Sequence, residues 1–297
     1  MSGGNEAGHA WLPSSPCGDR CLPPRGAVPS VGPARRVLRL LAFAAVVLAG
    51  VVLAAVLPLL PAARRQRAMR AWFRALLAAL RIRLQVSGGD RFAPQGSGVL
   101  VVSNHVSWLD LVALSSVQPL CMVAKSEVGG WPLVGALARR ARTIFVHRER
   151  LSLLPAAVAA VSGALSSGAA VGVFPEGTTW CGMTGGRFRP AFFQAATDTG
   201  TPVRPVALRY RLVGAGTTTV AAFIGSATLW HAVVTLAGVR GLVVEVRLLP
   251  VLPAEGVDRR TLAADAGAAV SAFAAPVVPE PAGVRRTLAH RSAVPVR

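Results

Sequence analysis

The chain has few acidic residues, a single lysine and no serine-hydrolase motif. Its 297 residues include 13 Asp or Glu against 32 Lys or Arg, which gives a formal net charge of +19. Lys125 is the only lysine, but a preference for arginine often reflects genome composition, so the ratio itself carries little information. No Gly-x-Ser-x-Gly sequence occurs, which argues against an esterase of the usual α/β-hydrolase kind.

The large basic excess suits anionic partners such as phospholipid head groups, phosphates, acyl carriers or nucleic acid. The chain shows no zinc-finger spacing, no aromatic RNA-recognition motif and no helix-turn-helix pattern, so we predict no nucleic-acid partner. Hydrophobic residues make up 53% of the chain and charged residues 15%. These proportions are unusual for a soluble enzyme and indicate membrane association.

Cysteine is also scarce, at four residues. Cys17 and Cys21 lie in a leader rich in proline and glycine, and they can pair with each other or bind a metal with His9. No second ligand pair accompanies them, so we interpret the spacing as incidental and expect no metal site. Cys121 falls in an apolar strand and is interpreted as a small core residue, and nothing here requires an oxidising compartment.

Residues 1–34 show no apolar periodicity and are predicted to form a disordered leader. Residues 40–61 then carry no charged side chain, which is long enough to cross a bilayer core of about 30 Å at about 1.5 Å per residue. We therefore predict a membrane segment over 35–61. Arginines flank it on both sides, so the positive-inside rule does not settle its orientation. A cleaved export signal is the rival interpretation, and the run is long for one.

Between Arg64 and Leu84 apolar residues recur at helical spacing, and arginines occupy much of the remainder. This pattern is typical of a helix lying in the membrane interface, predicted here over 62–86. An ordinary amphipathic helix packed on the domain gives the same pattern and stays open. The membrane segment and this helix can also form a hairpin that enters one leaflet.

A short β-branched run ends at Ser103-Asn104, and a helical pattern follows from about Trp108, which places His105 in a strand-to-helix turn. Such turns, at the carboxyl ends of parallel strands, are where α/β proteins place their chemistry. Asp110 follows five residues later, and its carboxylate can bind one ring nitrogen, leaving the other to take a proton from an alcohol. A structural histidine hydrogen-bonded at a helix start fits the same spacing.

A second stretch, Phe174-Pro175-Glu176-Gly177-Thr178-Thr179, also follows an apolar strand. Between the two stretches lies Phe145-Val146-His147-Arg148, and after them comes Val203-Arg204-Pro205-Val206. These four segments, in this order across roughly residues 98–210, resemble the motifs of the glycerolipid acyltransferases, the family that includes lysophosphatidate acyltransferase.

The resemblance implies an enzyme that transfers an acyl chain from an acyl thioester to the free hydroxyl of 1-acyl-sn-glycerol 3-phosphate. It implies that His105 is the general base and Asp110 its orienting carboxylate. For substrate binding the resemblance implies Arg148 and the turn residues Gly177 and Thr178. Asn104, Glu176 and Lys125 are further candidates. Glu176 either holds an arginine or the turn in place or contacts an acceptor hydroxyl, and Lys125, at the end of a strand, either binds phosphate or is a solvated charge. The expected partners are the phospholipid bilayer, lysophosphatidate, and acyl-CoA or acyl carrier protein as co-substrate, with no cofactor or metal. We expect a membrane location with the catalytic domain on the cytoplasmic face.

The fold class that we predict is α/β, with a mixed, largely parallel sheet flanked by helices and an N-terminal membrane helix or helical hairpin. The acyltransferase domain is predicted over 87–275 and a flexible tail over 276–297. Predicted strands cover 98–103, 120–125, 143–146, 170–174, 203–210, 218–224 and 242–249. Predicted helices cover 109–117, 131–141, 151–167, 191–199, 229–236 and 259–274.

Three other functions stay open on the sequence. An acyltransferase for another lysolipid, such as a lyso-ornithine lipid or a lysophospholipid, fits the same motifs, because these indicate the reaction better than the acceptor. A non-catalytic membrane protein that keeps the fold is disfavoured by the intact His105, Asp110 and Glu176. A nucleic-acid-binding membrane protein rests on charge alone.

Overall fold

The computed structural model describes residues 12–24, 26–131, 134–147 and 149–276. The strands in this part of the chain are β1 (Arg83–Ser87), β2 (Val99–Ser103), β3 (Cys121–Lys125), β4 (Ile144–Val146), β5 (Ala170–Val173), β6 (Val203–Leu212), β7 (Gly216–Thr217) and β8 (Leu242–Leu248). The α-helices are α1 (Pro33–Val56), α2 (Ala62–Ala79), α3 (Leu109–Val117), α4 (Ser126–Gly129), α5 (Val134–Arg140), α6 (Leu154–Ser166), α7 (Phe193–Thr199), α8 (Leu229–Gly238) and α9 (Arg259–Ala274).

All eight strands join one sheet in the order β1-β8-β6-β2-β5-β3-β4, and β7 pairs with β6. The strands from β6 through β4 are mutually parallel, so their carboxyl ends meet at one edge. β8 runs antiparallel to β6, and β1 runs parallel to β8. The prediction of a mixed, largely parallel sheet is confirmed.

Strand β2 lies at the middle of the sheet and is buried on both faces. Side chains alternate between faces along a strand, so Val99 and Val101 enter one apolar core while Leu100 and Val102 enter the other. The first core packs under α2 and α3, and the second packs under α6, α7 and α9. A run of five buried residues is what a central strand covered by helices on both sides requires.

Helices α1 and α2 form a hairpin at the N-terminus. The apolar helical stretch Pro33–Leu59, 27 residues long, is sufficient in length and composition to cross a bilayer, and most of its surface is not covered by protein. The Trp72 indole of α2 donates to the backbone oxygen of Val46 in α1 at 2.8 Å and fills the space beside Gly50. The hairpin geometry that the sequence left open is therefore present.

The interfacial helix predicted over 62–86 needs correction. α2 ends at Ala79, and its apolar residues Phe73, Leu76 and Leu77 are buried in the domain core instead of facing lipid. Arg70 and Arg74 lie beside this apolar face, and both guanidinium groups donate to the Ser116 carbonyl at the end of α3. The pattern is that of an amphipathic helix packed on its own domain.

Two other predicted boundaries differ from the structure. Residues 83–87 form strand β1 because their backbone pairs with residues 243–247 of β8, so the sheet begins before the predicted domain start at 87. Residues 218–224 are rich in β-branched side chains but form a loop, whose Phe223 N–H donates to the Val106 carbonyl at 2.8 Å. That loop therefore supports the turn after β2.

The disordered leader predicted over 1–34 is corrected for the residues that the structure describes. Ser30 forms an antiparallel bridge with Val239, and the Val31 N–H donates to Gly238. Cys17, Cys21 and Leu22 pack against the first core. Backbone and apolar groups within residues 12–24 and 26–32 thus find partners in the domain, which no periodicity within the leader could indicate. Residues 1–11 and most of the predicted tail, 277–297, lie outside the described residues.

Candidate active site

The turn between β2 and α3 brings His105 and Asp110 into contact. The His105 Nδ1 lies 2.8 Å from the Asp110 Oδ2. The Asp110 side chain is fully buried, whereas 19% of the His105 side chain is exposed. A fully buried carboxylate thus holds a partly exposed imidazole.

Asp110 is itself held from three further directions. Its Oδ2 also accepts the backbone N–H groups of Val106 at 2.6 Å and Ser107 at 2.8 Å. Its Oδ1 accepts the hydroxyl of Tyr210 in β6 at 2.6 Å. Burial, and then the nearby Asp110, raise the pKa of Tyr210 well above its ordinary value, so this phenol stays a donor. Donors to both oxygens fix the orientation of this carboxylate.

These contacts assign the histidine tautomer. The Asp110 carboxylate can only accept, so the proton of neutral His105 sits on Nδ1. Nε2 has no hydrogen bond to any residue that the structure describes and is the nitrogen able to accept a proton. The Phe174 ring stacks on the imidazole at 4.0 Å with an interplanar angle of 7° and limits its rotation. The site can therefore perform general-base chemistry.

Glu176 anchors the second motif beneath the first. Its Oε2 accepts the His105 backbone N–H at 2.6 Å and its Oε1 accepts that of Gly186 at 2.8 Å, with only 4% of the residue exposed. Burial raises the pKa of Glu176 to about 7, although the two N–H bonds act in the opposite direction. Both oxygens thus accept backbone N–H groups inside the protein, which fits the predicted role of holding the turn in place, and a contact of Glu176 with the acceptor stays a prediction.

Gly177 and Thr178 complete the turn that follows Glu176. The Gly177 N–H donates to Phe174 at 3.0 Å, and its φ of +77° is one that glycine adopts without strain. A Cβ at this position would come within 2.5 Å of the Pro13 Cγ, because the N-terminal segment lies on the turn. Thr178 is half-buried at the same turn. Their predicted contact with the acceptor stays a prediction.

Asn104 does not present its amide to a substrate. Its side-chain nitrogen donates to the Leu208 carbonyl at 2.9 Å, and its side-chain oxygen accepts the Leu208 N–H at 2.8 Å. The amide thereby replaces a backbone rung between the end of β2 and β6. This pairing sets the register from which Tyr210, two residues further along β6, reaches Asp110.

Of the predicted cationic residues, Lys125 is exposed at the carboxyl end of β3. The parallel strands place it at the same sheet edge as the turns after β2 and β5. Arg148 lies outside the described residues. The neighbouring His147 is exposed just after β4.

Comparison with known proteins agrees with this geometry. Residues 83–209 match the Acyltransferase family, a range that runs from β1 into β6 and contains His105, Asp110 and Glu176. The lyso-ornithine lipid O-acyltransferase of Pseudomonas aeruginosa is 38% identical over 205 residues, which cover 68% of this chain and 76% of that protein. The chain belongs to the glycerolipid acyltransferase family.

Two further proteins are similar to this acyltransferase, one in sequence and one in fold. The 1-acyl-sn-glycerol-3-phosphate acyltransferase of Neisseria gonorrhoeae is 42% identical over 147 residues, which cover 49% of this chain and 56% of that relative's own length. The crystal structure of PlsC, the 1-acyl-sn-glycerophosphate (LPA) acyltransferase of Thermotoga maritima, superimposes with a TM-score of 0.62 at 18% identity. That match covers 81% of this chain and 95% of PlsC and supports the fold.

Three residues that shape the site were not predicted from the sequence. Tyr210 is the only tyrosine of the chain and lies at the end of a predicted strand, but nothing in the sequence pointed it at Asp110. Phe174 stands within the second motif, and its stacking on His105 carried no sequence signal. The Gly186 N–H lies in a glycine pair whose use by Glu176 depends on the loop path.

Proposed function

We propose that this acyltransferase moves a fatty acyl chain from an acyl thioester to the free hydroxyl of 1-acyl-sn-glycerol 3-phosphate. The observation that carries the proposal is the 2.8 Å contact between His105 Nδ1 and a fully buried Asp110, on a histidine side chain that is 19% exposed. The motifs of the family and the names of the Neisseria relatives support the same reaction.

In this reaction His105 Nε2 takes the proton from the acceptor hydroxyl as its oxygen attacks the thioester carbonyl. Asp110 stabilises the imidazolium that forms, because its negative charge lies against Nδ1. The tetrahedral intermediate then collapses, the carbon–sulfur bond breaks, and the thiolate takes the proton from Nε2. The products are the acylated acceptor and a free thiol, and the histidine returns to its starting state.

No enzyme nucleophile is needed in this scheme, because the hydroxyl of the acceptor attacks directly. Phe174 and Glu176 serve the step indirectly. Phe174 holds the plane of the imidazole, and Glu176 holds the backbone N–H of the same histidine. Both act as positioning residues that keep Nε2 pointed toward the incoming hydroxyl.

The phosphate of lysophosphatidate requires cationic partners, and we assign this role to Lys125 and Arg148. Lys125 is exposed at the sheet edge that carries the catalytic turns. Arg148 is assigned from the sequence motif alone. A guanidinium binds two phosphate oxygens at once, which suits a dianionic head group.

A lyso-ornithine lipid is the second candidate acceptor. The Pseudomonas protein named for that acceptor matches over 205 residues, against 147 for the Neisseria relatives. Its reaction uses the same hydroxyl attack on a thioester, so His105 and Asp110 keep their roles. Only the groups that recognise the acceptor differ between the two proposals.

We further propose that α1 anchors the enzyme in the membrane with its catalytic domain on the cytoplasmic side, where acyl-CoA and acyl carrier protein are found. The 27-residue apolar stretch Pro33–Leu59 supports the anchor. We expect the reaction to need no cofactor beyond the acyl donor, because proton transfer and acyl transfer require only the base and the two substrates.

One assay tests the function. Purified full-length protein in lipid nanodiscs is offered labelled acyl-CoA or acyl carrier protein with lysophosphatidate, a lyso-ornithine lipid or lysophosphatidylethanolamine, and products are identified by mass spectrometry. We expect phosphatidate as the main product. Preferred acylation of the lyso-ornithine lipid would move the assignment to the second candidate, and no product from any acceptor would overturn the acyltransferase proposal.

A further inference from the structure

Three cysteines far apart in the sequence meet beside the Glu176 turn. Cys17 and Cys21 come from the N-terminal segment and Cys181 from the loop after β5, and their sulfur atoms all lie within 4.8 Å of one another. All three are free thiols, and Cys181 is buried. The sequence interpretation, which took the spacing of Cys17 and Cys21 as incidental, lacked the third sulfur.

The geometry fits a tetrahedral ion. Zinc–sulfur bonds of about 2.3 Å place sulfur ligands about 3.8 Å apart, so the three sulfurs need to close in by about 1 Å at most. Three residues separate Cys17 from Cys21, within the usual spacing of a zinc-binding pair. A disulfide uses two sulfurs and leaves the third unexplained.

Hydrogen-bonding groups lie beside the sulfurs. The Cys181 N–H donates to the Cys17 Sγ at 3.3 Å. The Thr184 hydroxyl lies 3.8 Å from the Cys17 Sγ and 3.7 Å from the Cys181 Sγ.

We propose that Cys17, Cys21 and Cys181 form a thiolate site for Zn²⁺ that pins the N-terminal segment to the catalytic domain. Binding replaces the proton on each sulfur with a zinc–sulfur bond, releases three protons to solvent and changes no oxidation state. A water molecule takes the fourth position, within reach of the Thr184 hydroxyl.

Such a site has a structural consequence at the second motif. Pro13, four residues before Cys17, lies directly on Gly177. Asp19, between the two leader cysteines, lies against Gly225 in the loop that supports the turn after β2. An ion on the three sulfurs therefore holds a segment that touches the Gly177 turn and, at Gly225, the end of the loop that supports the His105 turn.

The first test measures metal binding by the full-length protein. Reduced, metal-free protein is titrated with Co²⁺ as a spectroscopic probe and with Zn²⁺, and bound metal is counted by mass spectrometry. We expect about one ion per chain, with thiolate-to-cobalt charge-transfer bands and the intense visible bands of a tetrahedral site. Cys121→Ser is the matched control, because Cys121 lies outside the cluster, and it should bind as wild type does. Cys17→Ser, Cys21→Ser and Cys181→Ser should each weaken binding at least about tenfold.

The second test follows the segment itself. Arg20 is exposed between the two leader cysteines, so trypsin can cleave after it. Zn²⁺ should slow this cleavage in wild type and in Cys121→Ser but not in Cys181→Ser, whose substitution lies outside the cleaved segment. A wild-type protein that binds no Co²⁺ or Zn²⁺, a triple Cys→Ser variant that binds both as well as wild type, or a stable disulfide within the cluster in place of metal would each overturn the proposal.

Discussion

The buried hydrogen-bond network behind His105 and the exposed sheet edge beside it are built in opposite ways. At the base, Asp110 is completely buried and takes hydrogen bonds from four donors, while Glu176 ties two backbone segments together. At the carboxyl ends of β3 and β4, Lys125 and His147 are exposed. The first region fixes a proton-transfer geometry, whereas the second offers charge that can adapt to a ligand.

This difference separates the reaction itself from the choice of acceptor. Changing one member of a buried hydrogen-bond network lowers the free energy of unfolding strongly. The remaining partners stay buried, with neither water nor another group to bind. Exposed cations can change at little cost to folding, and under the proposed function they are the groups that would recognise the head group. A shared reaction with different acceptors, as in the names of the relatives, is what this division allows.

The largest effect should come from removing the base. His105→Ala should lower kcat by about 10²–10⁴ while the protein keeps its fold, because the general base is lost. His147→Ala is the matched control, since this exposed histidine lies at the same sheet edge and should leave kcat nearly unchanged. Steady-state kinetics with circular dichroism on both variants measures this. A folded His105→Ala enzyme with near wild-type turnover would remove His105 from the chemistry.

Glu176 should make stability depend on pH. Its pKa is about 7 in the folded chain against an ordinary value of 4.5, so the folded state holds a proton that the unfolded state has lost between these values. The free energy of unfolding should therefore fall as pH rises from 4.5 to 7, by roughly 3 kcal/mol from this group.

The comparison protein for that prediction is Glu176→Gln, which cannot titrate. Urea unfolding in detergent at several pH values should show the wild-type stability falling relative to the variant across this window and levelling off above pH 7. Parallel curves for the two proteins would show that Glu176 keeps an ordinary pKa. Glu176 would then be better solvated than its exposure of 4% indicates.

On the acceptor side, Arg148→Ala should raise KM for lysophosphatidate by about tenfold to over a hundredfold, the effect of losing a charge-assisted contact of about 1.5–3 kcal/mol. The KM of the acyl donor should change little, and Arg148→Lys should recover only part of the loss. Arg150→Ala, at an exposed position two residues on, is the control. Equal KM values for Arg148→Ala and wild type would exclude Arg148 from acceptor binding.

The smallest effect should follow from Tyr210→Phe, which removes one donor from Asp110. A buried carboxylate oxygen then lacks its partner, at a cost of about 1–3 kcal/mol in the free energy of unfolding. Turnover should stay within about tenfold of wild type, because the remaining N–H donors still hold Asp110. Activity as low as that of His105→Ala would instead place Tyr210 in the reaction itself.

Local patterns were enough to locate several elements. α3 spans Leu109–Val117 as predicted, and β2 starts one residue later than predicted, because a β-branched run followed by a polar turn leaves few alternatives. β1 was missed because residues 83–87 continue the helical spacing of α2. Their strand exists only through pairing with β8, which lies 160 residues away in sequence at Arg83 and Val243.

The sequence by itself determined the local part of this protein: the strand–turn–helix unit, the reach from His105 to Asp110 over five residues, and the apolar length of α1. Only the tertiary structure decided which distant groups complete the site. Tyr210 and Asp110 are 100 residues apart, Glu176 and His105 71 apart, and Cys17 and Cys181 164 apart. Sequence spacing fixes contacts within a turn or two of helix, whereas contacts at these separations depend on β5 and β6 flanking β2 and on where the N-terminal segment packs.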